Sequence, residues 1–155
     1  MKKLDKIDFN LISILQTNAR ITIKEISAKL GLSKTPIYER IKKLEKFGFI
    51  KQYVALVDNK KIDKGLIIYI SVSLNKHHKS VVDNFIKKVN SLHEVMECYY
   101  ISGNADFLLK VYTKDMDGYK DFIENKFSVI SDINQFFSSF VMDTTKYQTA
   151  FEFNE

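Results

Sequence analysis

Cationic side chains recur at close spacing just after the only proline of this 155-residue chain. Arg40, Lys42, Lys43 and Lys46 fall within the stretch 33–47. Lysine and arginine on the outward side of a helix can contact phosphates, and an arginine can also hydrogen-bond a guanine edge. Arg40 could instead pair with an acidic neighbour. The element that carries these groups therefore decides what they do.

Capping signals predict two short helices around this stretch. Thr22 with Glu25 three residues later forms a capping box, and Gly31 ends the helix that follows. Ser33 is the expected N-cap of the next helix. Pro36 falls in its first turn, where a missing backbone N–H costs nothing because that N–H has no helical acceptor.

The second of these helices is predicted to be a DNA reader. Its apolar positions Ile37, Ile41 and Leu44 are expected to face inward, so its polar positions face outward. A steep helix–glycine–helix crossing places such a helix in the major groove, with its N-terminal residues at base edges. The expected DNA contacts are Ser33, Lys34, Thr35, Tyr38, Glu39 and Arg40 near bases, with Lys42, Lys43, Lys46 and Arg20 on phosphates.

The charge distribution favours the same interpretation. Residues 1–65 hold 15 Lys/Arg against 7 Asp/Glu, a net +8, whereas residues 66–155 hold 9 against 12, a net −3. A run of lysines is usually only a solvated face, but here it coincides with a capped helix pair in the basic half. Such a half suits a polyanion.

The remaining sequence predicts a wing, a linker and a second domain. Residues 49–57 are expected to form a short hairpin that completes a winged helix-turn-helix over 1–57, and 58–65 is read as a polar linker. Residues 66–155 then form an α+β, ferredoxin-like βαββαβ domain. Its expected strands are 66–75, 95–101, 107–113 and 133–142, its helices begin near 79 and 116, and 147–153 is a candidate fifth strand.

A tight turn, SGNAD at 102–106, carries groups that could bind a small molecule. Backbone N–H groups beside Gly103 can meet the carboxylate of an amino acid, and Asp106 can meet its ammonium group. The alternative is a plain hairpin turn, with positive φ at Gly103 and a turn hydrogen bond from Asn104. The residues alone leave both readings open.

The sequence LDKIDFNLISILQTNARITIKEISAKLGLSKTPIYERIKKLEKFGFIKQYVALVD resembles the N-terminal domain of the Lrp/AsnC family. The stretch VMECYYISGNADFLLKV is similar to that family's second domain, including its G-x-x-D turn. The resemblance implies a cytoplasmic transcription regulator that binds double-stranded DNA as a dimer, often assembles further to an octamer, and senses a free amino acid.

By position, the resemblance assigns Gly103, Asn104 and Asp106 to the effector site, with Ser138 lining the pocket. The family turn often reads Gly-Asp-Tyr-Asp, whereas Asn104 and Ala105 stand at its two central positions here. An exposed sheet face with Tyr99, Phe137 and Phe140 is expected to pair subunits. The alternative to ligand-dependent assembly is a DNA-organising protein whose second domain only oligomerises.

The sequence gives little support for a disulfide, a membrane span, a metal site or a catalytic site. The lone Cys98 excludes an internal disulfide and suits a reducing compartment, and no apolar run is long enough for a membrane span. His77 and His78 are adjacent, so they diverge and are expected to lie in a solvated loop without a metal. No catalytic constellation or phosphate-binding glycine loop stands out, so an enzyme on a ferredoxin-like fold is not expected and no cofactor is predicted.

Overall fold

The computed structural model describes residues 3–153 and divides the chain into two units. The first unit contains residues 3–56 together with 145–153, and the second contains Val57–Thr144. The C-terminal segment, which the sequence assigned to the second domain, thus lies with the first unit. Among the described residues, no helix is both long and apolar enough to cross a membrane.

Three helices form the first unit: α1 Lys6–Thr17, α2 Ile23–Leu30 and α3 Lys34–Lys46. Each buries one apolar stripe, as the 3.6-residue spacing of its hydrophobic positions predicts. The buried side chains of this core are Leu11, Leu15, Ile26, Ile37, Ile41 and Leu44.

The predicted capping of these helices is largely confirmed. Thr22 and Glu25 form a reciprocal capping box, and Gly31 ends α2 in the left-handed conformation with φ 64°. Ser33 occupies the N-cap position of α3, as predicted, although its side chain makes no cap hydrogen bond. An unpredicted capping box starts α1, where the side chains of Asp5 and Asp8 each accept the other's backbone N–H.

The hairpin predicted over 49–57 is not formed, since residues 51–58 carry no strand. Lys51-Gln52 lacks the glycine or asparagine that a two-residue hairpin turn requires. Val54, Leu56 and Val57 are also exposed, so no apolar cover stabilises a two-stranded ribbon that is marginal by itself. The helix-turn-helix is therefore followed by a segment without regular secondary structure.

The second unit has the predicted βαββαβ order. Its elements, after a 3₁₀ turn Asn59–Ile62 inside the expected linker, are β1 Leu66–Leu74, α4 Lys79–Val89, β2 Val95–Tyr100, β3 Phe107–Thr113, α5 Met116–Asp121 and β4 Ile133–Phe140. A π-helical stretch, Phe122–Phe127, continues α5. The strands pair antiparallel in the order β2-β3-β1-β4, which is the ferredoxin-like arrangement.

One face of this sheet is covered by the helices and the other is not. The covered face supplies Ile68, Ile70 and Val72 to a core that includes Phe85 and Phe122. Alternation along β1 and β3 then turns the intervening residues to the opposite face. That uncovered face carries both apolar and polar side chains.

The predicted fifth strand is also absent, because residues 147–153 form no regular element. This segment instead contacts α1. The Gln16 side chain donates to the Phe151 carbonyl (3.2 Å) and accepts from the Phe151 N–H (2.9 Å). The rings of Phe9 and Phe153 pack with centroids 5.1 Å apart. A side-chain amide thus supplies the hydrogen bonds that a neighbouring strand would otherwise have made.

Candidate nucleic-acid interface and ligand site

Helix α3 exposes the polar surface that the sequence predicted. Ile37 is fully buried and Ile41 and Leu44 are nearly so, which fixes the rotation of the helix on the first core. The remaining side chains of α3 therefore lie on the outward face. The exposed residues are the N-cap Ser33 and, within the helix, Lys34, Thr35, Pro36, Tyr38, Glu39, Lys42, Lys43 and Lys46.

Arg20 lies outside α3, in the turn before α2, and is exposed. Its backbone N–H donates to the Asn18 side-chain oxygen at 3.0 Å, so the turn that carries it is held locally. The first unit thus presents Arg20 and the α3 cations on described, solvent-accessible positions. A surface of this kind can meet the phosphates of a duplex.

Arg40 is engaged within the protein. Its Nη1 lies 2.7 Å from Asp5 Oδ2 and 2.7 Å from Asp8 Oδ1, and its side chain is 30% exposed. These hydrogen bonds raise the pKa of the Arg40 guanidinium, with that to Asp8 contributing most. Of the two roles open to Arg40 from the sequence, the structure displays the pairing with acidic neighbours, which links α3 to the start of α1.

Lys42 also has an internal partner. Its Nζ lies 2.9 Å from Glu45 Oε2, and the hydroxyl of Tyr53 donates to Glu45 Oε1 at 3.1 Å. The hydrogen bond from Lys42 lowers the pKa of Glu45, while burial and the Glu45 contact raise the pKa of Tyr53 to about 12. The ion pair is exposed and hence weak, so Lys42 can exchange Glu45 for a phosphate at little cost.

The SGNAD turn borders an open concavity of about 500 Å³ in the second unit. Its lining residues are Tyr100, Ile101, Ser102, Gly103, Ala105 and Asp106. Gly103 has φ 126°, a conformation that residues with a Cβ rarely adopt. Of the residues predicted for the effector site, Gly103 and Asp106 line this concavity, whereas Asn104 is in the turn without lining it.

Asp106 is held firmly at this site. Its backbone N–H donates to the Val72 carbonyl (2.9 Å) and its carbonyl accepts from the Ile101 N–H (2.8 Å). One carboxylate oxygen, Oδ2, accepts from the Leu74 N–H at 2.7 Å. The carboxylate can accept further donors because each oxygen has two lone pairs.

Ser138 lies elsewhere in the unit. It pairs with Ile70 in the sheet, and the Tyr119 hydroxyl donates to its Oγ at 2.8 Å. Ser138 is not among the residues that line the concavity. Within one protomer, the structure therefore does not bring Ser138 and the turn together.

His77, which was expected in a solvated loop, makes a contact that the sequence did not predict. Its Nε2 lies 2.8 Å from Asp106 Oδ1, although the imidazole is exposed, as expected for its loop. The only feature of the sequence that drew attention to His77 was a pair of adjacent histidines at the end of a predicted strand. The pairing of β1 with β3 is needed to show that this strand end lies beside Asp106. Among residues 3–153, no group of three or more His, Cys, Asp or Glu side chains is arranged to hold a metal ion.

Two family models match the chain, one over the three helices and one from β1 into the C-terminal segment. The model described as "Winged helix-turn-helix DNA-binding" matches residues 4–51, and "Lrp/AsnC ligand binding domain" matches residues 67–151. The leucine-responsive regulatory protein of Escherichia coli K12 is 35% identical over 145 residues, which cover 94% of this chain and 88% of that protein.

Solved structures agree along almost the whole chain. A transcriptional regulator of Neisseria meningitidis in complex with L-Met has a TM-score of 0.92 at 31% identity, with 97% of both chains covered. An AsnC family transcriptional regulator of Agrobacterium tumefaciens has a TM-score of 0.91 at 32% identity, covering 96% of this chain and 97% of that one. These relatives are regulators and not enzymes, which confirms the expectation drawn from the missing catalytic groups.

Proposed function

The chain belongs to the Lrp/AsnC family of DNA-binding transcriptional regulators, and we propose that its second unit senses a free amino acid and assembles the chain into dimers or larger oligomers. The observation that carries the sensing proposal is the firmly held Asp106 carboxylate beside Gly103 in an open concavity. The proposal has three parts, which concern DNA, effector and assembly.

For DNA, the proposed contacts are the exposed side chains of α3 and Arg20. The N-terminal residues Lys34, Thr35 and Tyr38 lie where a recognition helix meets base edges. Lys42 and Lys43 lie on the following turns and suit phosphates. Arg40 is proposed to act mainly through Asp5 and Asp8, by fixing α3 against α1.

For the effector, the concavity offers a partner for each charge of a zwitterion. Asp106 provides a carboxylate for an ammonium group, and the Gly103 turn provides backbone N–H groups for a carboxylate. One relative is named for its response to leucine, and another was solved with L-Met. Both names favour an amino acid as the effector class, and leucine and methionine are the first probes to test.

For assembly, the uncovered face of the sheet is the proposed subunit interface. Tyr99, Leu108 and Phe137 share one row across the strands, and Tyr99 and Phe137 are exposed. Phe140 does not belong to this face, because it pairs with the buried Ile68 and its ring packs on Tyr119. The expected face is thus corrected to exclude Phe140.

An ion pair lies within the same face. Lys110 Nζ is 3.0 Å from Glu97 Oε1, and the Tyr99 hydroxyl donates to the other oxygen of Glu97 at 2.7 Å. Desolvation disfavours the charged form of both groups, but these contacts outweigh it. The pKa of Glu97 is therefore lowered and the pKa of Lys110 is raised. An apolar face with its charges already paired can be covered without leaving a buried unpaired charge.

The experiment that tests this function is a fluorescence-anisotropy titration of the full chain onto DNA from upstream of its own gene. It is run with and without the twenty common amino acids, alongside sedimentation analysis of the oligomer. Tight binding that an amino acid alters supports the proposal. Tight binding that no amino acid alters would favour the alternative, a DNA-organising protein that binds no ligand. An Asp106 carboxylate whose two oxygens already contact Leu74 and His77 is consistent with that alternative as well.

A further inference from the structure

The loop between β1 and α4 places an imidazole on the carboxylate of the proposed effector site. His77 Nε2 and Asp106 Oδ1 are 2.8 Å apart, while Asp106 Oδ2 accepts from the Leu74 N–H. The two partners differ in exposure, since the His77 side chain is 62% exposed and that of Asp106 is 18% exposed. His77 thus covers the carboxylate from the solvent side.

Asp106 does not depend on His77 for its position. Hydrogen bonds to the backbone of Val72, Leu74 and Ile101 fix both its main chain and its carboxylate. The His77 contact is an additional one, made by a largely exposed side chain in the loop at 75–78. Loss of His77 therefore frees Oδ1 without loosening the group that carries it.

We propose that His77 determines effector specificity by occupying the Asp106 oxygen that an ammonium group must reach. This inference rests on the proposed amino-acid sensing. His77 lies on the exposed side of this oxygen, so an ammonium group that enters from solvent has to displace the imidazole, and its binding is weakened by the hydrogen bond that is lost. An effector of the same shape without an ammonium group leaves the His77–Asp106 hydrogen bond intact, so its binding is not weakened.

The consequence is a selective gain when His77 is removed. His77→Ala is expected to tighten the binding of L-leucine or L-methionine by about three- to tenfold, the range that one net hydrogen bond provides. The 2-hydroxy acid with the same side chain is expected to bind the variant and the wild type alike. A residue that merely supported the fold would change both affinities in parallel.

The test is isothermal titration calorimetry on the full chain with these two amino acids, their 2-hydroxy acid analogues and then the other eighteen common amino acids. His78→Ala is the matched control, because this adjacent histidine is exposed and makes no side-chain cap hydrogen bond at the start of α4. In parallel, ¹⁵N NMR of the imidazoles follows the signal that is lost in His77→Ala.

The outcomes separate the two proposals. The inference is supported if amino-acid binding, but not 2-hydroxy acid binding, is tighter in His77→Ala and not in His78→Ala, and if the effector shifts the His77 NMR signal. Amino-acid binding that is detected only in His77→Ala supports it as well. Effector binding that is unchanged or weaker in His77→Ala overturns the role of His77 and leaves amino-acid sensing standing. No amino acid bound by the wild type or either variant overturns both.

Discussion

Gln16 and Phe151, 135 positions apart in the chain, exchange two hydrogen bonds through a side-chain amide and a backbone amide. The C-terminal segment is thereby attached to the first helix of the DNA-binding unit. Both bonds are near the surface, so each contributes modestly to stability.

Gln16→Ala is expected to lower the free energy of unfolding by about 0.5–1.5 kcal/mol, the net value of one such bond, because both bonds are exposed. Chemical denaturation monitored by circular dichroism measures the loss. Gln52→Ala, at an exposed position of segment 51–58, which forms no regular element, is the control and should have no measurable effect. Equal stability of the two variants would show that the attachment is not formed in solution.

Arg40→Ala is expected to destabilise the chain by about 1 kcal/mol, since it removes a partly exposed charge that bridges two carboxylates. The salt dependence of DNA affinity should be unchanged, because the guanidinium is already neutralised within the protein. Anisotropy titrations over a range of salt concentrations measure this slope. A decrease near 0.9 would instead establish Arg40 as a phosphate contact.

Replacement of Lys42 and Lys43 by alanine together should weaken binding to every duplex sequence. The slope of log affinity against log salt should fall by about 1.8, which is roughly 0.9 for each lost phosphate contact. Lys87→Ala with Lys88→Ala is the matched control, since these exposed lysines are on α4 of the other unit. Identical slopes for both double variants would reject the phosphate role.

Acid should weaken the start of α1. The Asp8 backbone N–H, followed by Arg40, lowers the pKa of Asp5 below its usual value. Because the folded-state pKa is depressed, the resulting stability is present above about pH 4 and is lost as pH falls through the folded-state pKa. Asp5→Asn keeps a cap acceptor without the charge, so its stability should decline less than that of the wild type between about pH 5 and pH 2.

Urea unfolding at a series of pH values provides this comparison, with the exposed Asp143→Asn as control. If Asp5→Asn followed the same pH course as the wild type, the Asp5 contacts would contribute nothing measurable to stability.

Asp106→Asn should remove any effect of amino acids on DNA binding, because the amide has no charge for an ammonium group. DNA affinity without effector should stay at the wild-type level, since the Asn oxygen can still accept from the Leu74 N–H. Asp63→Asn, exposed and away from the turn in sequence, serves as the control. An amino-acid response retained by Asp106→Asn would place the effector elsewhere.

The sequence predicted the elements that local patterns determine. The 3.6-residue apolar spacing of α3 and the alternation in β1 and β3 each fix one buried face, and both faces are as expected. The Thr22–Glu25 capping box and the left-handed Gly31 are local signals as well. Patterns of this kind do not depend on distant residues, which is why they can be read from the chain.

The structure differs from the predictions where contacts between residues far apart in the chain determine the outcome. Arg40 meets Asp5 more than thirty positions away, and His77 meets Asp106 through strand register. Strands were predicted at 53–57, within a hairpin, and at 147–153, but neither segment has a neighbouring strand to pair with. Side-chain periodicity indicates that a segment can be a strand, whereas hydrogen-bonding partners decide whether it is one.

The placement of residues 145–153 gives the DNA-binding unit an unusual dependence on the order of synthesis. The second unit, Val57–Thr144, is inserted between the two parts of the first. A chain emerging from the ribosome can form the three helices early, because their contacts are short-range, but α1 receives its last partner only after the entire inserted unit has been made. The first unit to begin folding is therefore also the last to be completed.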